Sequence, residues 1–357
     1  MEKINETKVK VGWNQIFPEL ERWVKNSGIF FSFYNKNFSL LFPGYHFAKA
    51  WGLSKGSYVY GFSVERSVLM AKRKAISELF EHLFFREVSS GAHPSGVGIG
   101  YSPKTAKEKA LQELLERDRF FNHYTTMLPF LNSKRLDKLL RKKSFKTFED
   151  QLREIGIKVI VKEMLPSKNH RFVIVNLFGQ SYGKRGFGVI TGLGSGLNLK
   201  DALEHACCEA RLILFGVLAD ENYLIPEGSQ FWIEDPYVSH VLFGRKIESG
   251  KIWSEVFMSS NNVLKCDQSS WSPKIVVKVK QFSTFAKKKV PKIFFATTNS
   301  TMIQKAFWGK INYMRNKPIP SVINWSAREK FISEYKKMVE SDKPISPKLP
   351  HFPHVCG

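Results

Sequence analysis

Ala106-Lys107-Glu108-Lys109-Ala110-Leu111-Gln112-Glu113-Leu114-Leu115-Glu116-Arg117-Asp118 reads as one amphipathic helix. Ala106, Ala110, Leu111 and Leu114 recur at helical spacing. Ser102 can cap the start, and Pro103 takes the first helical position, where a missing N–H costs nothing. The pattern predicts a helix over 103–125. Glu113 and Glu116 stand three apart, so they share a face, with Arg117 beside them. Upstream, Ala71 to Glu81 repeats the form Ala-x-x-x-Ala-Leu/Ile-x-Glu-x-x-Glu, inside a helix predicted over 64–88 with Ser63 as its N-cap. Glu78 and Glu81 are its carboxylate pair. Downstream, Ala202 to Arg211 belongs to a third helix over 199–219 behind Asn198, and Glu209 shares the register of its apolar neighbours.

Two carboxylate pairs on helix faces repel unless something neutralises them. Salt bridges on a solvated face would do so. So would a hard cation: all-oxygen ligands suit Mg²⁺, which shares nucleotide phosphates, and Arg117 and Arg211 could then hold phosphate oxygens bidentately. No Walker A pattern accompanies them. Gly183-Lys184 runs into Arg185, and Gly309-Lys310 into Ile311, so a nucleotide site here is not a P-loop.

The 357 residues are 43% hydrophobic and 24% charged, which fits a globular chain and excludes general disorder. No apolar run is long enough to cross a membrane. The charged start Met1-Glu2-Lys3 lacks a signal-type segment, so a cytoplasmic protein is expected. The net charge of +23 favours an anionic partner without choosing one. Cys207, Cys208, Cys266 and Cys356 form no C-x-x-C pair and read as reduced thiols.

Between the helices, Phe30–Tyr34 and Phe38–Phe42 suggest strands, and Ser90–Gly100 a glycine-rich break. A polar linker from Lys134 to Lys143 leads to a short helix near 148–155. Strands are expected at 158–161, 172–175, 187–190, 275–279 and 293–296, and a last helix at 327–340. The tail from Pro344 is too proline-rich for a regular element.

Three segments in order resemble the YcaO family, ATP-dependent enzymes that activate peptide amides. They are Lys74-Ala75-Ile76-Ser77-Glu78-Leu79-Phe80-Glu81-His82; then Ser95-Gly96-Val97-Gly98 through Glu116-Arg117-Asp118; then Thr191-Gly192-Leu193-Gly194, a glycine turn, through Glu209-Ala210-Arg211. The resemblance implies an α+β, YcaO-like fold: mixed sheets flanked by long helices that carry a carboxylate-rich ATP site. It divides the chain into a short segment 1–44 of strands, a catalytic domain 45–343 and a tail 344–357. It implies ATP and Mg²⁺ as cofactors, with Glu78, Glu81, Glu113, Glu116 and Glu209 as metal ligands. Lys74, Ser95, Arg117 and Arg211 would meet the nucleotide. Lys74, His82, Ser95 and Leu212 depart from the family's serine, arginine, asparagine and glutamine. His351 and Pro353 of the tail are candidates to reach the reaction.

The implied reaction is cyclodehydration of Cys, Ser or Thr to azolines in a ribosomally made precursor peptide. Implied partners are that peptide, a leader-binding protein and a flavin-dependent azoline dehydrogenase. Thioamide formation from external sulfide would need the same ATP site. A basic nucleic-acid-binding or scaffold protein is the competitor of another class; many of its would-be stacking phenylalanines fall in apolar runs, so nucleic acid is disfavoured.

Overall fold

In a computed structural model, the described residues are 30–32, 38, 41–54, 56–88, 96–126, 129–131, 133–167, 169–182, 185–219, 247–255, 276–285, 288–299, 326, 329, 330 and 333. The chain forms two compact units, Met1–Leu115 with Pro273–Thr301, and Glu116–Ser272 with Met302–Gly357.

In the first unit, β1 (Phe30–Ser32), β2 (His46–Ser54) and β3 (Ser57–Glu65) form one antiparallel sheet. Helix α1 (Val68–Val88) follows. Strand β4 (Gly96–Gly100) pairs with β11 (Lys288–Asn299), which pairs with β10 (Val276–Phe285). Ala71, Ala75, Ile76, Leu79 and Leu83 of α1 are fully or almost fully buried, with Val59, Ile99 and Phe295 in the same core. The rings of Phe84 and Phe295 stack there. Helix α2 (Pro103–Thr126) begins in this unit and ends in the other.

The second unit contains α3 (Lys134–Leu140), α4 (Lys143–Glu154) and a sheet ordered β5 (Lys158–Met164), β6 (Arg171–Phe178), β9 (Val189–Gly196). A two-stranded ribbon, β7 (Ser181–Tyr182) with β8 (Arg185–Gly186), precedes β9. Helix α5 (Leu199–Ala219) follows it, and then α6 (Ile247–Trp253). The buried Asn176 side chain accepts from both Thr191 Oγ1 (2.8 Å) and Trp253 Nε1 (2.9 Å), so its amide oxygen is satisfied.

Several expectations need correction. The sheets were expected to be mixed, but every described ladder is antiparallel. Ser63 does not cap α1: it is a buried residue of β3, which runs on to Glu65. Phe38 and Leu41 are helical, not extended, and the Phe42 N–H donates to the Phe38 carbonyl at 2.8 Å. The polar stretch after Lys134 is helical because Ser133 caps it, accepting from the Leu136 N–H. The glycine-rich break ends in β4, and the Gly192 turn is the middle of β9. The third helix spans 199–219 as expected, and Asn198 Oδ1 accepts from the Asp201 N–H at its start. The helix expected over 327–340, together with Ser95, His351 and Pro353, lies mostly or wholly outside the described residues.

The glycines of β4 and β9 are there for closeness rather than flexibility. A Cβ on Gly96 would collide with the carbonyl oxygen of Ala110, and one on Gly192 with that of Ala206. Gly61 stands in the same relation to Ala75. Each strand thus lies backbone to backbone against the helix that follows it, with alanine on the helix side.

Candidate active site: carboxylates anchored to strand backbones

That closeness puts three strand amides within reach of three helix carboxylates. The Phe62 N–H of β3 donates to Glu78 Oε2 at 2.7 Å, and the Val97 N–H of β4 to Glu113 Oε2 at 2.5 Å. The Leu193 N–H of β9 donates to Glu209 Oε2 at 2.5 Å. In all three the donor precedes its glutamate by 16 residues. The fold therefore repeats one device three times: a glycine that lets the strand approach, an alanine that receives it, and a glutamate one turn later that takes the next strand N–H.

The second glutamate of each pair is held by the strand of the following repeat. Ile99 N–H donates to Glu81 Oε1 at 3.2 Å, and Ser195 Oγ donates to Glu116 Oε2 at 2.5 Å. The third repeat has Leu212 in place of a second glutamate. A basic side chain recurs as well. Lys109 interacts electrostatically with Glu81, and His205 Nδ1 lies 3.8 Å from Glu116 Oε2. Burial lowers the Lys109 pKa, opposed by Glu81 and reinforced by Lys74. Lys109, Ser195 and His205 were not singled out from sequence. The constant strand-to-glutamate interval was the signal, and reading β4 as a loop hid it.

Lys74 pairs with Glu65, and its side chain is half exposed. Arg117 follows Glu116 on α2 and is half-buried. Arg211 is buried, its guanidinium 4.0 Å over the Phe148 ring of α4. It sits about 200° around α5 from Glu209, so the two do not share a face. His82 Nδ1–H donates to the Tyr60 carbonyl at 2.6 Å. Cys207 and Cys208 are buried thiols outside any disulfide, and burial pushes the Cys207 thiol up to about 12, which suits packing and not nucleophilic chemistry.

Burial raises Glu78 from 4.5 to about 8; the Phe62 hydrogen bond opposes this, and the charges of Glu81 and Glu113 add to it. A cation placed among these groups would reverse the effect. Each anchored carboxylate spends one oxygen on its N–H, so a cation would use the other, in an orientation the strand has fixed. Among the described residues, no three His, Cys, Asp or Glu side chains are gathered closely enough to hold an ion by themselves. Mg²⁺ does not require that: it keeps waters, takes phosphate oxygens and uses one or two carboxylates. The donor set fits it.

The raised Glu78 pKa carries a pH prediction. The folded, metal-free chain keeps a proton there that the unfolded chain has released between about pH 4.5 and 8. Its contribution to stability is therefore present at the acidic end and lost as pH rises through that window. The Tm of the wild type is expected to fall more steeply between pH 5 and 8 than that of Glu78→Gln; parallel curves would overturn the assignment.

No family model matches the sequence, and no curated protein matches it. Solved structures do match. The E. coli microcin synthetase McbBCD complex aligns with a TM-score of 0.51 at 15% identity, over 76% of this chain and 88% of that one. The same complex with pro-MccB17 bound gives 0.50 at 13% identity over the same shares, 76% and 88%. The chain shares its fold with this complex. A YcaO from Methanopyrus kandleri bound with AMPPCP and Mg²⁺ aligns at 0.45 with 12% identity, over 58% of this chain and 68% of that one. Among the described residues, no helix is long and apolar enough to cross a membrane.

Proposed function

We propose that this chain uses ATP and Mg²⁺ to activate peptide backbone amides by O-phosphorylation, converting Cys, Ser or Thr of a ribosomally made peptide to azolines. The observation that carries the reading is the repeated anchoring of Glu78, Glu113 and Glu209 on strand N–H groups. The shared fold with a microcin synthetase supports it.

Glu78, Glu81, Glu113, Glu116 and Glu209 are the candidate Mg²⁺ ligands, any one ion using one or two of them besides phosphate oxygens and water, with Arg117, Lys74 and Ser95 as candidate nucleotide contacts. Mg²⁺ would supply charge neutralisation on the phosphates. An amide oxygen is a poor leaving group, and phosphorylation makes it a good one. The substrate side chain attacks the preceding carbonyl carbon and gives up its proton. The resulting oxyanion takes the γ-phosphoryl group, releasing ADP. Phosphate then departs with the amide oxygen as the amide N–H proton is lost, and a C=N bond remains. The peptide loses one water for each ATP cleaved. The chain's own contribution is to fix the carboxylates before substrate arrives, so little reorganisation is needed during reaction.

A precursor peptide is the proposed substrate, delivered by a leader-binding protein, with a flavin-dependent dehydrogenase acting on the azoline. The McbBCD microcin synthetase was solved as a complex, and also with pro-MccB17 bound. The test is to incubate the chain with ATP, Mg²⁺, a candidate peptide and its delivery partner. The expected product has lost one water per ADP formed. An oxygen-for-sulfur exchange would replace this reading with thioamide formation. Failure of the chain to bind ATP with Mg²⁺ by calorimetry would remove it.

A further inference from the structure

Glu116 is the buried member of the five carboxylates, 8% exposed, and Ser195 beside it is 3% exposed. Ser195 Oγ donates to Glu116 Oε2 at 2.5 Å, across a sequence interval of 79 residues. His205 Nδ1 faces the same oxygen at 3.8 Å. Ser195 stands between Gly194 and Gly196 in β9 as Ile99 stands between Gly98 and Gly100 in β4. Both positions hold the second glutamate of the preceding repeat. Ile99 does so with its backbone N–H, which any residue would supply. Ser195 does so with a side chain, so here the contact depends on residue identity.

We infer that Ser195 is a positioning residue for Glu116. Its hydroxyl fixes Oε2, and the carboxylate is thereby presented to Mg²⁺–ATP in one orientation. Alanine would keep the strand and its close packing but leave the carboxylate to rotate. Residues that orient a ligating carboxylate typically contribute about 10–100-fold in metal affinity or activity. The inference rests on the ATP-site reading above.

The test is ATP binding titrated against Mg²⁺ by calorimetry, alongside turnover, for Ser195→Ala, Ser195→Thr and Glu116→Gln. For Ser195→Ala, the Mg²⁺ concentration giving half-maximal binding is expected to rise about 10-fold. Turnover should be recovered largely by added Mg²⁺, and threonine, which keeps the hydroxyl, should restore the wild-type titration. An unchanged Mg²⁺ dependence in Ser195→Ala overturns the inference. So does a loss of Tm and activity that no Mg²⁺ concentration relieves, since that marks a packing role. If alanine does not fold, Ser195→Cys, a weaker donor of similar size, is titrated in its place against the same two outcomes. Glu116→Gln separates the levels: if it too titrates as wild type, the ATP-site reading falls with the inference. If it shifts and Ser195→Ala does not, only the inference falls.

Discussion

Glu113→Gln is expected to lower ATP turnover by about 10²–10³-fold, the effect of withdrawing several kcal/mol of charge stabilisation from phosphoryl transfer. Glutamine keeps the shape and keeps an oxygen to accept the Val97 N–H, so the β4–α2 packing should survive. Only the charge is removed. That separates it from Glu113→Ala, which also leaves the Val97 amide without its carboxylate partner and should cost stability as well as activity. A second consequence follows from proximity. Glu113 is one of the charges that push Glu78 up, so Glu78 should ionise at lower pH in Glu113→Gln. The expected combination is near-wild-type Tm, lost turnover and a weakened pH dependence of stability. Circular dichroism melts and a coupled ADP assay measure all three. Turnover within a few-fold of wild type would place Glu113 outside the site.

The helices were legible because their periodicity is strong and their punctuation local. Pro103 and Asn198 mark starts that the structure keeps, and the alanines of α2 and α5 sit on the buried side. The strands of the device were harder. β4 and β9 are built on Gly-x-Gly-x-Gly, and glycine is a weak strand former by propensity. Tertiary packing overrides that here: the missing Cβ atoms are what admit the helix backbone. Ser63 looks like a cap for a related reason. Small residues before a helix pattern suggest a cap, yet this one is small because α1 packs closely against β3. The glutamates could be found from their spacing, but their hydrogen-bond partners lie on other elements, and pattern within one helix cannot show them. The surroundings of Arg211 are hidden in the same way: its guanidinium lies over the Phe148 ring of another helix.

Gly192→Val should be the most damaging conservative change outside the carboxylates. The first atom added meets the Ala206 carbonyl oxygen, the Ala210 amide nitrogen and the Ala210 Cβ. Two of those three atoms are backbone, so no rotamer change relieves the clash, and β9 is buried along its whole length. Overpacking typically costs about 1–3 kcal/mol, and a backbone neighbour argues for the upper end. At about 2–4 °C per kcal/mol for a domain of this size class, Tm should fall by roughly 6–12 °C. Function should suffer beyond stability, because moving β9 away from α5 lengthens the Leu193–Glu209 hydrogen bond, 2.5 Å in the native chain. Gly216→Ala on the same helix provides the internal comparison. A Cβ at Gly216 meets nothing within 4 Å, and alanine in a helix is favoured over glycine by about 1 kcal/mol. The two substitutions should therefore move Tm in opposite directions, with loss of ATP binding confined to Gly192→Val. Equal melting temperatures would mean that the strand–helix contact does not set the carboxylates as described.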